Sequence, residues 1–527
     1  MRISQETFDQ AVQENIDDFG MEPEEALEDA ARQFESQGAN LSNILRRVPG
    51  ASAEDEPATL RIVARMKALL EEVEDEETVE MSFGTGALKI SYGIVGPTVG
   101  AALSEAAAEL RAEVQRDKQN ATFAGHNGGV DALVSASLSL LRSPSALAPV
   151  LEALATMAMD AENREQLDAR GVAAISVIMK THIDGGEASA DALRAAMHAV
   201  RAAMLVHERH RQMFVGSAGL LPLVVRAMRD RPDDAATMLA ACGALRATTL
   251  SDDARSRTSK GHEHAKSAVE LGVLPLLLAA LRNPMSRHAP TLAELLATLS
   301  RVTVTDQICA QLASMDALRV AIDELGNHMT DAQVARQACF FLANISGNDQ
   351  CKGSIVAGHG HVAIVQAMLL HPNHAGLQID AVAALGNMAL RMPANCEAIA
   401  EAGGLPAIAG AFGQHIAQPR MQSKACLAVR NLVGRNEELR EPLLELGVEN
   451  LLRSVLAAHE DGYVHNLAKA ALRDLHCSVH LAEGFKGEIG AAHTIAQGEA
   501  DTENHWDKFL DTPAAQEAIK REIAELS

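Results

Sequence analysis

The sequence predicts an all-α, right-handed superhelical solenoid of about eight three-helix repeats behind an N-terminal helical extension. Three observations carry this. A helix-opening motif recurs at steps of 42–53 residues, an apolar four-residue face recurs late in every repeat, and the composition is aliphatic. Hydrophobic residues make up 47% of the 527, aromatic residues only 3%. Small aliphatic side chains let many helix axes approach closely, whereas sandwiches and barrels draw on aromatic and β-branched residues.

The opening motif is a Gly followed by apolar residues, with Pro or Ala three positions on. It stands at Gly129, Gly171, Gly219, Gly272, Gly360, Gly403 and Gly447, with a degenerate copy near Asp316. Such periods mark helical repeat arrays, and the two longest steps, 48 and 53 residues, mark insertions. Gly ends one helix in a left-handed cap; Pro222, Pro275 and Pro406 sit where the next can begin without an N–H.

The late face is a quartet at i, i+3, i+4 and i+7, one side of a helix. It reads Ala338, Phe341, Leu342, Ile345 in the fifth repeat and Ala381, Ala384, Leu385, Met388 in the sixth. The same offsets recur from Val150, Ala196, Ala241, Leu292, Ala425 and Ala468, with one Thr among the 32 positions. Small residues in most quartets imply close packing of successive third helices, which should line the inner, concave surface.

The formal charge is −24, which opposes direct binding to nucleic acid. Residues 1–127 carry −14 of it. The chain divides into an acidic helical region (1–80), a linker and capping helix (81–128), the repeats (129–483) and a polar tail (484–527). In the first region the pattern predicts helices over 5–18, 23–37 and 59–74. A linker at Glu54-Asp55-Glu56-Pro57 follows the first two, and the acidic run from Glu71 to Glu80 closes the region. A helix over 97–118 caps the array, and a last short helix runs from Pro513 to Leu526 after Trp506. The N-terminus has no signal-peptide pattern, and the most apolar run, Gly272–Leu281, is too short to insert in a membrane. Seven scattered cysteines without a CxxC pair read as buried thiols of a reducing compartment, cytosol or nucleus.

The Gly-x-Leu-Pro openings and the Ala-x-x-Ala-Leu-x-Asn-Leu third helix resemble the armadillo module of β-catenins and importin-α. The N-terminal stretch is similar to the armadillo repeat-containing protein 6 family, through Ser4-Gln5-Glu6-Thr7-Phe8-Asp9, Pro23-Glu24-Glu25-Ala26 and Gln33-Phe34-Glu35-Ser36-Gln37-Gly38. That likeness runs through Ala471-Leu472-Arg473-Asp474-Leu475 and excludes the tail after about residue 484. It implies an armadillo fold and a protein-binding role.

The resemblance also points to a site. Offset +6 from the first quartet residue is Asn344, Asn387 and Asn431 in three successive repeats, then Asp474. Asn residues there bind the backbone of an extended peptide in importin-α and β-catenin, since a carboxamide offers both donor and acceptor. The alternative is that these residues tie neighbouring backbones together. Offset +2 holds Phe340, Ala383 and Leu427, without the Trp that importin-α uses to sandwich Lys, which argues against classical nuclear-import recognition. Arg201 and Arg246 at one end and Arg430 and Arg473 at the other give basic edges, read either as a solvated surface or as a grip for carboxylates or phosphates.

No nucleotide loop, nucleophile elbow or zincin motif is present, so no enzyme activity and no cofactor are expected. The pairs His262/His264, His359/His361 and His371/His374 read as solvated loop histidines, and His476-Cys477 with His480 comes nearest to a metal set without completing one. The function expected is a scaffold holding an extended, partly apolar or acidic protein segment along the concave groove. Two alternatives stand beside it: an adaptor docked into a cytoskeletal or axonemal lattice, and a groove occupied by the chain's own N- or C-terminal extension.

Overall fold

The computed structural model describes residues 3, 5–39, 41, 44, 57–84, 86–283, 288–459 and 462–479. The segment Glu54–Glu56, the region of Trp506 and the final helix expected up to Leu526 lie outside them.

Among the described residues eight helix triplets follow one another at the positions the period predicts. Their third helices are Pro144–Met157, Glu187–Met204, Ala235–Thr248, Ala289–Val302, Ala332–Ile345, Ala375–Ala389, Pro419–Val433 and Gly462–Asp474. All 32 quartet residues are at most 2% exposed, so the apolar face found by spacing is the core. The chain forms two compact units, one of residues 1–251 with 259–272, the other of 252–258 with 273–527. Within the second, the third helices of repeats four to eight pack side by side in sequence.

The corners between the first and second helices explain the glycine motif. In repeat seven Gly403 takes φ +82° and the next helix starts at Gly404. A Cβ on Gly404 would lie 2.6 Å from the Ile399 carbonyl oxygen. One residue must therefore be left-handed and the next must have no side chain. Gly128 and Gly129 repeat the pair, whereas Asp316 and His359 occupy the left-handed place themselves. Repeat two departs from the motif: its second helix begins at Ala169, N-capped by the Asp168 carboxylate, and Gly171 lies inside it.

The N-terminal region differs from expectation. Helices Gln5–Asp17 and Pro23–Ser36 build a core of their own around Phe8, Val12, Ala26 and Ala30. The helix Ala58–Leu70 instead packs on Pro97–Arg116, and the two lie against the second and third helices of repeat one. They form an incomplete capping repeat.

A β-hairpin is inserted between them, strand β1 (Asp75–Phe83) pairing antiparallel with β2 (Gly86–Ile94). The expected boundary at residue 80 cuts β1. Reading Glu71–Glu80 as an acidic run hid a period-two pattern, in which Met81, Ile90 and Tyr92 are buried and Glu80 faces Lys89. Tyr92 donates its hydroxyl to Glu77 (2.8 Å), and Arg142 of repeat one ion-pairs with the same carboxylate.

Candidate functional site

At 100° per residue, quartet offsets 0, 3, 4 and 7 fill one side of each third helix, offsets −5, −2, +2 and +9 fall on the opposite, open side, and offsets −1 and +6 lie on the flank beside it. Repeats five to eight put Asn344, Asn387, Asn431 and Asp474 there at +6.

The three Asn residues form a ladder. Asn344 Nδ2 donates to Ser300 Oγ (2.8 Å), Asn387 Nδ2 to Ala343 O (2.9 Å), and Asn431 Nδ2 to Gly386 O (2.9 Å). Each thus ties its helix to the third helix before it, the role the sequence left open as the alternative to ligand contact. A carboxamide has two N–H groups and an acceptor oxygen. In Asn387 and Asn431 the tie uses one N–H, so the rest of the carboxamide retains its capacity for a backbone in register, while Asn344 Nδ2 also reaches Ser300 O at 3.3 Å. Gly386 keeps the helices close, since a Cβ there would meet Ala428 Cβ at 2.9 Å.

Between the rungs, Phe340 and Leu427 are half-buried and Ala383 is buried, which makes an apolar floor. The Arg301 guanidinium lies 5.8 Å over the Phe340 ring, a cation–π contact. The basic edge at the far end is already engaged: Arg430 Nε binds Asp474 Oδ2 at 2.9 Å, and Arg473 Nε is 3.7 Å from Asp474 Oδ1. Asp474 closes the ladder with ion pairs. Arg201 and Arg246 belong to the other unit, where the Arg201 side chain packs on Gly243.

Sequence reasoning missed a charged cluster on the same third helices, about two to three turns before the ladder. Asp380, 7% exposed at its side chain, lies 3.2 Å from Arg336 Nε and 3.7 Å from Arg420 Nη2. Burial, with Arg420 beside it, pushes the Lys424 ammonium down to about 8, against the opposing pull of Asp380. These residues sit at offsets −5, −2 and −1 of three consecutive third helices. By the same 100° rule Arg336 and Arg420 fall on the open side, and Asp380 and Lys424 on the flank that carries the Asn residues.

The histidines are not the solvated loop residues expected. His264 and His361 are buried in helices, and His264 Nδ1 lies 2.9 Å from Thr248 O. His371 Nε2 reaches Met329 O (2.7 Å), and His374 Nδ1 accepts the Leu377 N–H to cap a third helix. Only His262 and His359 of the three pairs are exposed. Among the described residues no cluster of three or more His, Cys, Asp or Glu is arranged to hold a metal ion. Six cysteines are buried, and desolvation pushes the Cys426 thiol up to about 12 and Cys309 and Cys396 to about 11, away from nucleophilic thiolate.

Three-helix repeats with a ladder of Asn on the third helices define an armadillo-type protein. The ARMC6 family model matches residues 96–494 and the Armadillo repeat-containing protein 6 N-terminal domain matches residues 1–59, so the chain belongs to the armadillo repeat-containing protein 6 family. The match passes residue 484, where the sequence reading ended the likeness. The human armadillo repeat-containing protein 6 is 32% identical over 408 residues, 76% of each chain. The Drosophila melanogaster homolog is 28% identical over 407 residues, 76% of this chain and 80% of its own. Among solved structures, an engineered protein aligns with TM-score 0.51 and 18% identity over 79% of this chain and 100% of its own, a likeness of fold.

Proposed function

We propose that this chain is a non-enzymatic protein-interaction scaffold whose open third-helix face in repeats five to eight holds an extended, partly apolar and acidic segment of a partner. The Asn ladder carries the reading. Helix axes 8–10 Å apart correspond to about three residues of extended chain, so rungs recurring once per repeat can meet one peptide backbone at regular intervals. Phe340, Ala383 and Leu427 offer apolar contact between rungs, and Arg301, Arg336, Arg420 and Lys424 favour acidic side chains. The buried thiols suit a reducing compartment, cytosol or nucleus.

The test is peptide selection from a random-sequence display library by the full chain, with affinities then measured for Asn387→Ala/Asn431→Ala. Selected peptides should weaken about tenfold or more, the loss of two hydrogen bonds. Unchanged affinity would move the binding surface elsewhere, as a lattice-docking adaptor requires. Tighter binding after removal of residues 1–56, which leaves the capping repeat whole, or of 484–527 would point to a groove occupied by the chain's own extension.

A further inference from the structure

We propose that Arg336, Arg420 and Lys424, organised around Asp380, form a subsite for a phosphorylated serine or threonine of the segment held on the Asn ladder. This rests on the reading of the third-helix face as a peptide site and names the chemistry it selects.

The chain as a whole is at −24, yet two arginines from non-adjacent third helices meet on one carboxylate of the helix between them, and Lys424 lies within its electrostatic reach. Arg336 comes from repeat five, Asp380 from repeat six, and Arg420 and Lys424 from repeat seven. With Asp380 counted, the cluster holds a net +2. A phosphomonoester brings about −1.5 to −2 at neutral pH and a carboxylate only −1, so the phosphate is the better match. Arg presents a planar fork of donors to phosphate oxygens and Lys a point charge, the usual division of labour at such sites.

Asp380 is the organiser. It is nearly buried, and it draws Arg336 and Arg420 together from helices that are not neighbours. Gly376 extends the arrangement, since a Cβ there would come within 2.9 Å of Arg336 Nε and displace it. Position supplies the last link. Lys424 and Asn431 are seven residues apart on one helix, about 10 Å. A phosphorylated side chain reaching back from a backbone held at Asn431 and a lysine side chain reaching forward span that distance together.

The protonation of Lys424 adds a signature. The groups facing it are Arg420 on its own helix and Asp380 on the preceding third helix, with Arg336 and His374 beyond Asp380. Its ammonium titrates near 8, above which the cluster loses a charge while a phosphate remains dianionic. Phosphopeptide affinity should therefore fall as pH rises through about 8.

The experiment uses the full chain and an immobilised random-sequence peptide library made in matched phosphoserine and serine forms. Retained peptides should prefer the phosphoserine form by about tenfold or more. Arg420→Gln/Lys424→Gln should bring that form down to the serine level, Lys424→Arg should keep the preference and lose its pH dependence near 8, and Asn387→Ala/Asn431→Ala should weaken both forms equally. Equal binding of the two forms, with sensitivity to the Asn pair, would overturn the subsite and leave the peptide site standing. Failure to retain any phosphopeptide, or indifference to both double variants, would overturn subsite and peptide site alike.

Discussion

Asn387 Nδ2 lies 2.9 Å from the carbonyl oxygen of Ala343, so the residue marked for ligand contact also ties the third helix of repeat six to that of repeat five. Asn387→Ala should therefore lower stability by about 1 kcal/mol, the usual net worth of one such bond. Asn431→Ala should behave alike through Gly386. Asn344→Ala should cost less, because Asn344 is exposed and the Ser300 hydroxyl it meets can turn to another acceptor. Urea unfolding of the three single variants checks the order.

Leu342→Asp should cost more than about 4 kcal/mol and leave the second unit without cooperative unfolding. The side chain is fully buried, and a carboxylate there would have neither water nor a cation. Loss of a sigmoidal urea transition, with helical circular dichroism partly retained, is the expected outcome. A native-like transition would contradict the assignment of that face to the core.

The repeat-seven corner separates two demands made on glycine. Gly403→Ala pays for a left-handed backbone, about 1–2 kcal/mol. Gly404→Ala must move the Ile399 carbonyl away from 2.6 Å, so it should be the more damaging of the two. Thermal melting of both variants tests the ranking.

Acid should destabilise the first unit through His210. This imidazole is buried, its Nδ1 lies 2.9 Å from Ala203 O, and it stacks on His207 with centroids 3.7 Å apart. Burial first, then the charge of a protonated His207, pushes it down to about 4. A folded pKa below the unfolded one means that the unfolded state takes up the proton first. Stability is therefore present above about 6.5 and lost as pH falls toward 4, by roughly 2 kcal/mol at about pH 5. His210→Gln should remove that much of the pH dependence in urea unfolding.

What the sequence disclosed follows from which interactions are periodic. The quartets from Val150 to Ala468 repeat because every third helix meets the same neighbours, so spacing alone found the core. The left-handed corners were legible at Gly219, Gly272, Gly403 and Gly447, whereas at Gly129 and Gly360 the left-handed residue stands one position earlier, at Gly128 and His359. The hairpin was not legible because its alternation, Glu76-Glu77-Thr78-Val79-Glu80-Met81, lies within an acidic run that reads as solvated. At the site, offset +6 pointed to the Asn ladder but could not tell that Ser300, Ala343 and Gly386 would each accept one N–H. Nor could it pair Arg430 with Asp474, or place Arg336 and Arg420 on one buried Asp380, since those meetings depend on how far each helix slides past the next.

The central claim is that the open face of the third helices in repeats five to eight holds a partner's extended backbone. Affinity capture with the wild-type chain beside the folded triple variant Asn344→Ala/Asn387→Ala/Asn431→Ala, read by quantitative mass spectrometry and followed by affinity measurement on a peptide mapped from a captured partner, tests it most directly. The account predicts that the triple variant loses a defined subset of partners and binds the mapped peptide about tenfold to a thousandfold more weakly. Retention of every partner and of full peptide affinity, in a variant shown by circular dichroism to be folded, would contradict it.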